Sequence, residues 1–327
     1  MSVIDELKSK IKGKNFRIVF PEATEERTLH AVAKLNQEKV IKTVLVGKKS
    51  KIEEAASHLH VDLSNSEIID PNQDSHFEGT VSAFVERRGG KVTKEDAQKL
   101  LLDPIYYATM LTYLNRADGL VSGAIHSTPD TVRPALQIIK TKPGVKRVSG
   151  SFFMERGDER FLFADCAINI DPDAETLAEI AQQSRETAEI FNIDPKVAML
   201  SFSTKGSTKH ELVEKVERAT EIVKNLDPNG NYDGELQFDA AFVPKVAELK
   251  APNSSVAGQA NVFVFPSLEA GNIGYKLTER LGGFRAIGPI LQGLNRPVSD
   301  LSRGCSKEDI VEISIVTAAL ALLNYED

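Results

Sequence analysis

The stretch DGLVSG, Asp118–Gly123, followed by AIHSTPDTVRPALQIIKT, Ala124–Thr141, sets the architecture. Its first half is an apolar run without polar alternation, as expected of a strand covered on both faces. Its second half opens with Ser-Thr-Pro-Asp at Ser127–Asp130, a helix start. Working outward, FRIVF (Phe16–Phe20), KTVLVG (Lys42–Gly47), KVAMLSFS (Lys196–Ser203) and NVFVFPS (Asn261–Ser267) repeat the strand pattern. TEERTLHAVAKLNQEK, ETLAEIAQQSRETAEIF and KHELVEKVERATEIVKNL lie between them, with apolar residues at spacings of three and four and charge elsewhere. Strands alternating with amphipathic helices predict an α/β fold, three-layered, around a mainly parallel sheet. One segment breaks the rhythm. In RVSGSFFMERGDERFLFADCAIN (Arg147–Asn169) two β-rich runs flank Gly157–Asp158 and read as a hairpin. A change of domain is placed there, with TKPGVK (Thr141–Lys146) as the connection and LNRPVS near residue 296 as the return. The expected domains are residues 1–143 with 292–327, and residues 144–291.

Length and composition narrow the function. A chain of 327 residues suggests two domains. With 41% apolar residues, no unbroken apolar run of ~18–20 residues and no charged-then-apolar leader, the reading is cytoplasmic, with no membrane partner. The two cysteines, Cys166 and Cys305, read as reduced thiols, and no metal cluster is visible. A net charge of -7 argues against nucleic acid as partner, so an anionic substrate must be held by local arginines.

PVSDLSRGCSKEDIV, Pro297–Val311, is the densest polar cluster. The helix after it, Glu308 to about Leu323, is apolar nearly all round and should be buried. SKED (Ser306–Asp309) matches a capping box, worth about 1 kcal/mol. Capping leaves LSRG unexplained. An arginine just before a helix N-terminus, where unpaired amides and positive dipole potential meet, makes an anion site. STKGS (Ser203–Ser207) follows a strand and either cradles a phosphate or makes a tight turn. GAIHST (Gly123–Thr128) follows another strand end, where α/β sheets place ligands, and nominates Ser127 and Thr128 for phosphate or acetyl contacts. His126, without an identifiable partner, reads as structural, and the carboxylates of PEATEERT read as complements to a helix dipole.

Seven blocks carry a resemblance. FPEATEERTLHA, DGLVSGAIHSTPDTVRPALQIIKT, FLFADCAIN, MLSFSTKGS, DGELQFDAAFVPKVA, GQANVFVFPSLEAGNIGYKL and GPILQGLNRPVSDLSRGCSKEDIV resemble, in order and spacing, the bacterial phosphate acetyltransferases. The resemblance implies reversible acetyl transfer: acetyl-CoA plus phosphate gives CoA plus acetyl phosphate. It also implies a fold like that of isocitrate and isopropylmalate dehydrogenases, with the active cleft between two α/β domains, and a homodimer. Coenzyme A, acetyl phosphate and inorganic phosphate are the partners; no cofactor is needed, coenzyme A being a substrate. By position, Asp309 resembles the family's base, Ser302 the hydroxyl beside the reacting sulfur, and Arg303 the phosphate or carbonyl contact. Arg133 and Arg88 resemble two further arginines, with Arg87 adjacent to Arg88. The implied mechanism is direct thiolate attack in a ternary complex. A carboxylate at the third helical position is a weak base toward a thiol, so the helix end itself is expected to assist the thiol's ionisation. Cys305, beside the same helix end and an arginine, is placed for a depressed pKa and offers a covalent rival. A phosphate butyryltransferase, a decarboxylating dehydrogenase on the same fold and an inert binding domain are the other readings.

Overall fold

In the computed structural model, which describes residues 2–324, the chain separates into two units. One runs to Lys142 and resumes at Leu294; the other is Pro143–Gly293. In chain order the strands are β1 (Arg17–Phe20), β2 (Lys42–Val46), β3 (Ser66–Ile69), β4 (Gly119–Ser122), β5 (Ser149–Arg156), β6 (Glu159–Ala164), β7 (Val197–Leu200), β8 (Tyr232–Leu236), β9 (Val262–Val264), β10 (Arg285–Gln292) and β11 (Val298–Asp300).

The first unit orders its strands β3-β2-β1-β4-β11, each pair parallel. The chain winds outward from β1 to β3 and then returns to the other side of β1 with β4. Loops after β1 and β4 therefore leave the sheet in opposite directions and open a crevice at its carboxyl edge, the usual ligand site of such sheets. The apolar helix predicted at the C-terminal end is present as Lys307–Leu320, with Ile310, Ile313, Val316 and Ala319 among its buried residues. It packs on helices Glu26–Glu38 and Val3–Ile11 and on β1, β4 and β11. Its approach to β4 requires Gly119, where a Cβ would stand 2.6 Å from Thr317 Cγ2. Thr317, polar in an apolar setting, is satisfied by the hydroxyl of Ser299, 2.7 Å away on β11.

The second unit has the order β10-β5-β6-β9-β7-β8. The hairpin predicted around Gly157–Asp158 is β5–β6, with Arg156 opposite Glu159. β10 adds to β5 antiparallel, whereas β6, β9, β7 and β8 run parallel. Phe153 of β5 stacks on Phe191 at 4.4 Å between centroids, and Phe152 stacks on Tyr275 at 4.0 Å.

Four strands escape the sequence pattern: β3, β8, β10 and β11. β11 is three residues long and β3 is an edge strand without a continuous apolar run. β8, YDGEL, hides Asp233 and Glu235, and acidic residues ordinarily argue against a buried strand. Tertiary partners explain them: Lys205 and Lys224 approach Asp233 at 2.7 and 3.0 Å.

Candidate active site

Three neighbouring parallel strands, β1, β4 and β11, end at one edge of the first unit, and the loops leaving them build the site. Gly123 follows β4 with φ at 109°, and a Cβ there would lie 2.5 Å from the backbone nitrogen of Leu301, just after β11. Only glycine permits that approach.

Glu22, after β1 and 4% exposed, organises the loop after β4. One carboxylate oxygen accepts the Ala124 amide at 2.8 Å; the other accepts the amides of Ile125 and His126, each at 2.9 Å, and meets His126 Nδ1 at 2.7 Å. His126 thus has a partner, which corrects its reading as partnerless. Its Nδ1 faces the Glu22 oxygen, and Nε2 has no partner among the described residues on a side chain that is 32% exposed.

Arg27 ties all three loops together. Its Nε donates to Glu25 at 2.6 Å, its Nη1 to the carbonyls of Arg303 and Cys305 at 2.9 and 2.8 Å, and its Nη2 to the Ala124 carbonyl at 2.8 Å. Sequence reasoning missed both Glu22 and Arg27 as organisers. Their partners are mostly backbone atoms about a hundred residues or more away, and no local pattern announces such bonds.

The Ser302–Arg303 turn is exposed, with Ser302 Oγ accepting the Gly304 amide at 3.3 Å. Asp309 stands at the third position of the buried helix and completes the predicted capping box. Its Oδ2 accepts the Ser306 amide at 2.8 Å, and its own amide donates to Ser306 Oγ at 3.1 Å. Oδ1 is bonded to no described residue, and the side chain is exposed.

The helix after β4 spans Thr128–Ile138, and Ser127 caps it, its hydroxyl donating to Asp130 at 2.5 Å. Arg133 projects, exposed, from the second turn of this helix. Arg88 instead donates to the Gln137 carbonyl at 3.4 Å, about 14 Å along the axis from Thr128 at 1.5 Å per residue. Its neighbour Arg87 caps the same helix end, donating to the carbonyls of Ile138 and Ile139 at 2.6 and 2.9 Å and lying over the Tyr113 ring. The structure thus brings Ser127 and Thr128 to the loop edge that Arg27 shares with Arg303, and places Arg88 at the far end of their helix.

Asp300, the last residue of β11, is 1% exposed and has one oxygen, Oδ1, without a hydrogen bond. Burial pushes its carboxyl up to about 6; the hydroxyls of Thr128 and Thr131 oppose this and the charge of Glu22 adds to it.

One sequence reading fails, and one left open is decided. The Cys305 thiol is not depressed: burial pushes it up to about 11, with Asp309, Glu25 and Glu22 adding to the rise and only Arg27 opposing. The side chain is 7% exposed, its sulfur turned to Arg27 Nη1 at 3.8 Å. A buried neutral thiol is a poor nucleophile. STKGS is a tight turn rather than a phosphate cradle, because the protein fills it. Buried Glu235 accepts the Gly206 amide at 2.8 Å and the Ser203 hydroxyl at 2.9 Å, while Lys205 is spent on Asp233. Among the described residues no group of three or more His, Cys, Asp or Glu side chains is gathered as a metal ion requires.

A parallel sheet with helices starting from the loops at its carboxyl edge defines an α/β fold that is also found among dehydrogenases. A solved Salmonella typhimurium protein described as a 4-hydroxythreonine-4-phosphate dehydrogenase shares that fold at TM-score 0.54 and 13% identity, covering 93% of this chain and 99% of its own. The family described as phosphate acetyl/butaryl transferase matches residues 2–318, and the chain belongs to that family. The phosphate acetyltransferase of Bacillus subtilis (strain 168) is 58% identical over 97% of this chain and 98% of its own. The solved phosphotransacetylase from Streptococcus pyogenes superposes at TM-score 0.96 with 57% identity, covering 99% of this chain and all of that one. The chain is an acyltransferase, and its activity is phosphate acetyltransfer.

Proposed function

We propose that acetyl transfer between coenzyme A and phosphate proceeds by direct thiolate attack on acetyl phosphate, with both substrates bound together. Asp309 receives the thiol proton, Ser302 contacts the reacting sulfur and Arg303 holds the phosphate or carbonyl oxygen. Ser127, Thr128 and Arg133 bind the anionic substrates, and Arg88, at the far end of the same helix, meets only the part of coenzyme A remote from its thiol. The observation that carries this reading is the division of labour at Asp309. One oxygen is spent on the helix cap and the other is open, beside a Ser302–Arg303 turn that Arg27 holds in place. The cap fixes the carboxylate, and the positive helix end supports the thiolate as it forms.

The acetyl group passes without visiting the protein, which agrees with the buried, weakly acidic Cys305. Coenzyme A and the phosphates are then substrates, and no cofactor takes part. Among the described residues no helix is long and apolar enough to cross a membrane; a cytoplasmic homodimer is part of the same reading. Arsenolysis is the test, since arsenate in place of phosphate makes acetyl-CoA disappear irreversibly. Turnover of acetyl-CoA that Asp309→Asn and Arg303→Ala each reduce about 10²-fold is expected. Faster turnover of butyryl-CoA would move the chain to the butyryl branch of its family.

A further inference from the structure

Transfer of acetyl from phosphate to sulfur has a second proton requirement. When the thiolate forms its C–S bond, the C–O bond to phosphate breaks and its electron pair stays on the departing oxygen. Unprotonated, that group would leave as a trianion, a very poor leaving group. A donor near the bridging oxygen would let it leave as hydrogen phosphate. Asp309, assigned to the thiol, does not fill this place.

We propose that His126, oriented by Glu22, is the acid that protonates the departing phosphate and, in reverse, the base that deprotonates the attacking one; this rests on the acetyl-transfer reading above. The buried Glu22 carboxylate meets Nδ1 at 2.7 Å and, with three amide bonds from the same loop, fixes the imidazole's orientation. In its acid form the ring carries a proton on each nitrogen; the Glu22 carboxylate accepts from Nδ1 and so aims Nε2–H, the positioning role of the carboxylate in carboxylate–histidine pairs of hydrolases. Nε2 is without a partner among the described residues, and His126 precedes Ser127 in the loop whose Ala124 carbonyl shares the Arg27 guanidinium with Arg303.

The charges around the ring come from each neighbouring element. Glu22 reaches it from the loop after β1, Asp130 from the start of its own helix, and Arg27 lies against Ala124; Asp300 on β11 faces Glu22. The proton balance closes. His126 gives one proton to phosphate, Asp309 takes one from the thiol, and both return to their resting forms by exchange with solvent.

Two variants test the assignment in the forward assay, thioester formation from acetyl phosphate and coenzyme A. His126→Asn keeps an N–H for Glu22 and removes Nε2. It should lower kcat about 10²-fold while leaving the KM for coenzyme A within about 2-fold. His126→Ala should be equally slow and should recover at least tenfold with added imidazole, in proportion to the imidazolium present. A His126→Asn kcat within about 3-fold of wild type overturns the role, and so does a slow His126→Ala that imidazole leaves unchanged. Wild-type protein forming no thioester would sink the underlying reading; an active wild type beside an equally active His126→Asn sinks only the role of His126.

Discussion

Arg27 shows why the site depends on a guanidinium rather than on charge. Its donors diverge in one plane toward Glu25 and three carbonyls on two loops, a geometry an ammonium cannot reproduce. Arg27→Lys should keep the fold, lose about 2 kcal/mol in urea denaturation and lose about 10²-fold in kcat/KM; unchanged kinetics would show that the loops hold their places without it. Asp300 makes the opposite prediction, a gain. Its carboxyl is raised to about 6 from an ordinary 3.8, so the folded state holds the proton more tightly than the unfolded one. Stability from this group is intact below pH ~4, falls as pH rises toward ~6 and stays lower above, by about 3 kcal/mol at most. Asp300→Asn escapes that penalty. Denaturation of both proteins at pH 4 and pH 8 should show the variant gaining on wild type only at the higher pH.

At the scale of the element, helix Lys307–Leu320 joins core to chemistry, because the residue that could act on the thiol is also half of the helix cap. Ser306→Ala removes the acceptor for the Asp309 amide and should cost about 1 kcal/mol in stability, with activity falling because the carboxylate loses its alignment. Asp309→Asn preserves an acceptor for the Ser306 amide, so its melting temperature should stay near wild type while its rate falls. If the helix end assists the thiol, that fall is larger at pH 6 than near pH 9, where coenzyme A ionises unaided; equal losses at both would reject the assistance. The cap, the buried helix and the β5–β6 hairpin were legible because each is written within some twenty consecutive residues. β8 was not, since its buried acids are tolerable only beside Lys205 and Lys224. The candidate site divides the same way. Ser302, Arg303 and Asp309 share one continuous stretch, whereas Glu22 and Arg27 act on loops about a hundred residues or more distant. The covalent rival reading of Cys305 arose because helix end and arginine were visible in the sequence and its burial was not.

At the scale of the whole molecule, the question is whether the acetyl group ever rests on the protein. A covalent route would let acetyl phosphate acetylate a nucleophile and release phosphate before coenzyme A binds. Labelled inorganic phosphate would then exchange into acetyl phosphate in the absence of coenzyme A, and double-reciprocal plots would be parallel. The thiols are placed against this route. Burial holds Cys166 far above the ordinary thiol range, and Cys305 at about 11 is almost wholly protonated at neutral pH. A ternary route needs both substrates present before any bond breaks, which suits a site whose groups are pinned by backbone bonds and wait as an ordered set. Exchange without coenzyme A should therefore be below about one part in 10³ of turnover with it, initial-rate plots should intersect, and Cys305→Ala should stay within about 3-fold of wild type. Rapid exchange that disappears in Cys305→Ala would establish the acyl-enzyme and confine any role of Asp309 as base toward coenzyme A to the second half-reaction.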